Sequence, residues 1–260
     1  MPPCYQALHS TDWMDAITLA VLRKTHNDAI RRTHRHRGEQ LNRLGEVQGA
    51  IGEIIAAAYL REKGCEVIRW VPYSTQGPVS EADMTFRYQG RVYALDVKAM
   101  FLTPRQRNLL INRNAHEQER KRVNLYLPIL LQSGSTWAAI GRGIPPREVS
   151  EHWRHWDLPY GDPAYACHIR QAAPSYFNAS LRQIEWRTQP RLGWQALRRA
   201  TERLYAGGHV LLEAYQQGDA PLARLDLDSK QRQAVSASLA RIRAGFVATA
   251  TEPNGKRIAS

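Results

Sequence analysis

Cysteine is scarce in this chain, and acidic residues are outnumbered. Cys4, Cys65 and Cys167 are the only cysteines, and they stand far apart. No CxxC or Cys/His spacing of the kind that builds a zinc site is present, and an odd, scattered set argues against a disulfide framework. Nowhere do 18 apolar residues run together, so no membrane-spanning helix is expected and a membrane partner is not anticipated. The opening MPPCYQALHS lacks the basic stretch and apolar run of a secretory leader, so a cytoplasmic protein is expected. Internal repeats and low-complexity tracts are also missing. Asp and Glu total 24 against 36 Lys and Arg, a formal charge of +12 over 260 residues. That surplus suits a polyanionic partner such as nucleic acid, although a soluble basic protein without one would carry it too. With 43% hydrophobic and 23% charged residues, the composition is that of a globular chain, long enough for one large domain or a core with a smaller piece.

What is present is a strongly patterned middle. Residues 11–37 read as a helix ending in a dense basic run; Arg31, Arg32, Arg35 and Arg37 form either a phosphate-contacting arm or a solvated face. Leu44, Val47, Ile51, Ile54, Ile55 and Ala58 recur at helical spacing, and Gly64 is a fitting left-handed stop. CEVIRW follows as a strand, and residues 71–80, with two prolines and a glycine, as a loop. ADMTFRY and RVYALDVKAM read as two strands joined by the tight turn Gln89-Gly90. RQRNLLINRNAHEQERKRV reads as a helix. NLYLPILL is a strand whose Pro128 marks it as an edge or bulged one. STWAAIGRG is a further strand and PPREVSEHWRHW a helix opened by prolines. Residues 157–190 show little periodicity. After Pro190 two or three helices are expected, the last capped by Asp228 or Ser229 with Val235, Leu239, Ile242 and Phe246 inward. This divides the chain into an N-terminal helical and basic arm (1–43), an α/β core with a mixed central sheet flanked by helices (44–187), and a helical C-terminal region (188–260).

The hairpin carries the chemistry. A two-residue loop places Tyr88 opposite Arg91, Phe86 opposite Tyr93, and therefore Asp83 opposite Asp96. Opposed residues share a face with Cβ atoms about 4.5–5.5 Å apart, so two carboxylates stand side by side. Lys98 follows on the same face of the strand. Opposed like charges are destabilising, and a cation is the simplest reason to keep them: Lys98 offsets one charge, and a hard divalent ion such as Mg²⁺ offsets both. The helix adds Glu46 and Glu53, seven residues apart on one side. Their neighbours Gly49, Ala50, Ala56 and Ala57 are small, which implies something packed close with the glutamates turned into a cleft. Glu46 also suits a first-turn capping role.

Glu53 on a helix, then Asp83, then Asp96-Val97-Lys98, in that chain order, resembles the PD-(D/E)XK nuclease superfamily and its restriction-endonuclease-like fold. The resemblance covers roughly residues 44–145 and matches the superfamily's α-β-β-β-α-β order. Asp83 follows Ala82 rather than the proline of the family name, and Asp96 is a permitted variant of the second acid. The resemblance implies Mg²⁺-dependent hydrolysis of DNA phosphodiesters, with Mn²⁺ able to take the ion's place. Asp83, Asp96 and the Val97 carbonyl would ligate the ion, and Glu53 a second ion directly or through water. Lys98 would orient or activate the attacking water and stabilise developing charge. In such folds the following helix flanks the cleft, so Arg113, His116 and Lys121 become candidates for nucleic-acid contact; His116 and Lys121 read equally as an ordinary charged helix face. The resemblance also points to a homodimer, since duplex cutters of this size often work as dimers. Two rivals stand beside this reading: a catalytically silent nucleic-acid-binding module of the same fold, and a nuclease acting on RNA.

Overall fold

The computed structural model describes residues 4–29, 39–70, 82–101, 108–119, 123–131, 137–157, 163–172 and 194–244. Strand β1 (Cys4–Ala7) is followed by helices α1 (Ser10–Ala29) and α2 (Glu39–Glu62). Then come β2 (Glu66–Trp70), β3 (Met84–Tyr88), β4 (Arg91–Phe101), β5 (Asn108–Asn112), α3 (Arg113–Glu119), β6 (Leu125–Leu131) and β7 (Trp137–Ile140). Helix α4 (Pro146–His152), β8 (Arg154–Asp157), β9 (Pro163–His168) and α5 (Ile169–Ala172) complete the α/β part. Helices α6 (Trp194–Ala206), α7 (Gly208–Gln217) and α8 (Ser229–Arg243) follow, with a 3₁₀ turn at Ala220–Arg224 before the last.

Six strands form one mixed sheet in the order β1-β7-β6-β4-β3-β2, in which β4 and β6 run parallel and the other pairs antiparallel. Strand periodicity assigns its two faces. Leu95, Val97 and Ala99 of β4, with Leu127, Ile129 and Leu131 of β6, pack in one hydrophobic cluster with α1, α2 and the C-terminal helices. Met100 of β4 and Tyr126 and Leu130 of β6 belong to a second cluster, shared with α4, α5 and the small antiparallel sheet β5-β9-β8. The molecule is thus layered: helices, mixed sheet, and a second layer of short strands and helices.

Helix α1 belongs to the first cluster, with Ala16, Ile17, Leu19 and Ala20 buried. Asp15 of α1 takes both guanidinium hydrogen bonds of Arg241 on α8, at 2.8 and 2.7 Å. The two ends of the chain are therefore packed on the same helical layer, and α1 is a core element rather than part of an arm. The last helix starts as expected: Asp228 accepts from the Gln231 amide at 2.8 Å and Gln231 reaches back, a capping box. Val235, Leu239 and Ile242 are buried; Phe246 lies outside the described residues.

Four elements differ from the sequence-based expectation. Arg154–Trp156, expected at the end of the helix opened by prolines, belong to strand β8 and pair with β9. Residues 108–112, expected to be helical, are strand β5, because Leu109 and Ile111 alternate inward and find β9 as a partner. Strand β9 lies in the stretch that showed little periodicity: Ala164, Tyr165, Ala166 and Cys167 are all buried, so no alternation betrays it. Strand β6 is central, not an edge. The Pro128 carbonyl accepts from the Gly141 amide at 2.8 Å, just past the end of β7, so the proline's missing N–H removes only the closing bond of that ladder.

The close approach of α2 to the sheet is at Gly52, not at Gly49, where an added Cβ would meet nothing within 4 Å. A Cβ on Gly52 would stand 2.5 Å from the Ala99 Cβ and 3.3 Å from Val97 Cγ1. Gly52→Ala therefore pushes α2 off β4. Overpacking of this kind costs about 1–3 kcal/mol, against about 1 kcal/mol recovered in helix propensity. A urea denaturation midpoint below wild type is the expected result, and a midpoint above it would show that the helix rests elsewhere.

Candidate active site

The β3–β4 hairpin builds the site. Gln89 and Gly90 take φ of 48° and 75°, the paired left-handed residues of a type I′ turn. The register follows as the turn dictates: Tyr88 faces Arg91, Phe86 faces Tyr93 and Met84 faces Leu95. One step further along, Asp83 stands at Asp96. Instead of continuing the ladder, Asp83 uses its side chain: Oδ2 accepts the Val97 amide at 2.7 Å. In extended backbone the N–H and C=O of one residue leave the same edge, so the Val97 carbonyl shares the Asp83 edge.

Asp96 is buried, and Lys98 Nζ lies 2.6 Å from its Oδ2. Lys98 remains partly exposed, with its ammonium 5.4 Å from the centre of the Tyr126 ring. Tyr126 is the register partner of Asp96 on the parallel strand β6 and forms the floor of the site. The Asp83 carboxyl is pushed well above its usual range. Loss of water is the first cause, followed by the charges of Asp96 and Glu53 and a hydrogen bond shared with Asp96, while Lys98 pulls the other way. With both acids ionised the pair would hold more negative charge than Lys98 neutralises, so Asp83 favours its proton, and a cation in its place would relieve the same repulsion.

Glu53 is placed differently from the sequence expectation. Both its oxygens are gripped by Arg23 of α1, at 2.7 and 2.6 Å, and the Trp70 indole N–H donates to Oε2 at 3.0 Å. Its charge reaches Asp83, while Oε1 accepts one bond from Arg23 and Oε2 one each from Arg23 and Trp70. Among the described residues no group of three or more His, Cys, Asp and Glu side chains stands at metal-ligating distances. The residues that fit a divalent ion here are Asp83, Asp96 and the Val97 carbonyl, all hard oxygen donors.

Arg23 was not among the residues singled out from sequence. Burial alone would lower its pKa; the Glu53 carboxylate outweighs that and raises it, with Asp83 and Glu46 adding to the effect. One signal existed: Arg23 continues the inward positions Ala16, Leu19 and Ala20 at helical spacing, and an arginine in such a stripe needs an acid.

His116, expected at the substrate or on a charged helix face, is at neither. It is fully buried, with Nδ1 2.9 Å from the Tyr126 hydroxyl and Nε2 2.8 Å from Ser150 Oγ. Helix α3 is one short turn pair laid on the second cluster, and the side carrying His116 faces β6. Arg113 opens that helix and is half-buried, while Asn112 caps it by accepting the Ala115 amide at 2.9 Å. Arg31, Arg32, Arg35, Arg37 and Lys121 lie outside the described residues. No described helix is long and apolar enough to cross a membrane. No family model, curated protein or solved structure matches the chain.

Proposed function

We propose that this protein is a metal-dependent endonuclease of the PD-(D/E)XK type that hydrolyses phosphodiester bonds of DNA. The observation that carries the reading is the apposition of Asp83 and Asp96 with the Lys98 ammonium 2.6 Å from Asp96, at the end of a hairpin whose turn dictates the pairing. A bound Mg²⁺ would supply a water of lowered pKa and a clamp on the phosphoryl oxygens. Asp83, Asp96 and the Val97 carbonyl would hold it. Lys98, partly exposed and carried on a fixed strand, donates to a phosphoryl oxygen or to the attacking water and offsets the charge that develops on phosphorus. Tyr126 closes the site from below and keeps water out beneath the ammonium. Glu53, held by Arg23, contributes its field and keeps Arg23 near the acids. The net charge of +12 favours a polyanionic substrate.

The test is cleavage of supercoiled plasmid in EDTA, Mg²⁺ and Mn²⁺ by wild type, Asp96→Ala and Lys98→Ala. Wild type cuts only with metal, and Lys98→Ala loses about 10²–10³-fold in rate. Asp96→Ala does not cut. Binding of DNA without cleavage in either metal would replace this reading with a nucleic-acid-binding module, and cleavage confined to RNA would change the substrate.

A further inference from the structure

We propose that His116, backed by Ser150, is a positioning residue: it fixes the Tyr126 hydroxyl, and through it the ring face on which the Lys98 ammonium rests beside Asp96. The role assigned to Lys98 rests on the nuclease reading; the packing does not.

Ser150 lies on α4, and its hydroxyl oxygen is 2.8 Å from His116 Nε2. The other ring nitrogen, Nδ1, is 2.9 Å from the Tyr126 hydroxyl. A neutral imidazole donates through one nitrogen and accepts through the other, and serine and tyrosine hydroxyls do either, so both hydrogen bonds form in either tautomer. The histidine ring is itself held edge-on by Tyr165, with centroids 5.1 Å apart, and the Tyr165 hydroxyl donates to Glu117 at 3.1 Å.

The consequence falls on Lys98. The face of a neutral tyrosine ring is electron-rich, and a cation over it is attracted. Tyr126 is fully buried and held at its far end by His116, so the ring has one orientation. Lys98 is a flexible four-carbon stem, and the ring face narrows the positions its ammonium takes beside Asp96. Three elements distant in sequence, α3, α4 and β6, converge to keep it in place.

The experiment reads the ring directly, in the metal-free full-length protein. Lys98 Nζ lies over the Tyr126 ring, and the expected result in wild type is an upfield shift of the protons on the adjoining Cε. His116→Leu removes both hydrogen bonds, and the upfield shift is lost. His116→Asn places an amide oxygen near the Nδ1 position, and the shift is retained. Tyr126→Phe keeps ring and volume but loses the anchor; it shows the same loss as His116→Leu, and the double variant shows no more than either. This second variant carries the test if His116→Leu does not fold. In the cleavage assay His116→Leu lowers kcat by about 10–100-fold, the range for residues that orient a reacting group, with KM for DNA unchanged and with recovery in His116→Asn. An upfield shift that survives both His116→Leu and Tyr126→Phe overturns the proposal, whether or not the protein cuts DNA. If the shift behaves as expected and wild type does not cut, the positioning stands and the nuclease reading fails.

Discussion

Manganese, at a hundredfold excess over its dissociation constant at pH 8, raises the melting temperature of the wild-type protein by about 5–11 °C. The figure follows from about 2.7 kcal/mol of binding linkage and about 2–4 °C per kcal/mol for a chain of this size. Asp83→Asn abolishes the response and, without metal, melts about 2–4 °C above wild type, the gain from about 1 kcal/mol of relieved repulsion. The physical cause is the raised carboxyl of Asp83, enclosed and facing Asp96. A carboxyl whose pKa is higher in the folded chain than in the unfolded one binds more protons when folded. Stability is then lost as pH rises from the unfolded value, about 3.9, through the raised folded value, and is level above it. Asparagine at position 83 keeps an oxygen for the Val97 amide and has no proton to lose, so the difference between variant and wild type grows with pH across that window. Differential scanning calorimetry at pH 5, 6.5 and 8, with and without Mn²⁺, reads all of this. A metal response equal in wild type and Asp83→Asn would move the ion away from the hairpin. A variant less stable than wild type at pH 8 would show that Asp83 is stabilising as an anion.

Arg23→Ala destabilises the protein by about 3–5 kcal/mol, the cost of leaving one member of a buried ion pair alone. Glu53 is 8% exposed and Arg23 20% exposed at the side chain, so water does little to screen them. The indole of Trp70 remains as a partner for Glu53 but brings no charge. Replacing both members, Arg23→Met with Glu53→Leu, recovers most of the loss, because the desolvation of two charges is removed along with their attraction. Urea unfolding of the two single variants and the double gives the coupling. A loss below about 1 kcal/mol in Arg23→Ala would place the pair among ordinary surface bridges. The same substitution withdraws a positive charge from the neighbourhood of Asp83, so Arg23→Ala also increases the metal dependence of stability measured above.

Between them the two experiments probe the two parts of the acidic centre: the hairpin pair proposed to take a cation, and a helix glutamate whose oxygens accept from Arg23 and Trp70. The charge of Glu53 also reaches Asp83.

Local chemistry alone determined the hairpin. Gln89-Gly90 permits the left-handed pair of a tight turn, the turn fixes the register, and side-chain alternation then brings Asp83, Asp96 and Lys98 to one face. The same holds for α2 with its glycine stop and for the capping box of α8, where every interaction spans a few residues. What the tertiary structure decided lies at longer range. The run NLLIN satisfies helix or strand equally over five residues, and only the presence of β9 across from it selects strand. Pro128 suits a central strand because β7 ends where the missing donor falls. Arg23 and Glu53 are 30 residues apart, His116 and Ser150 34, Asp15 and Arg241 226. A buried charge or imidazole is stable only with its partner in place, and no pattern in the neighbouring sequence names a partner that distant; packing of the layers against the sheet supplies it.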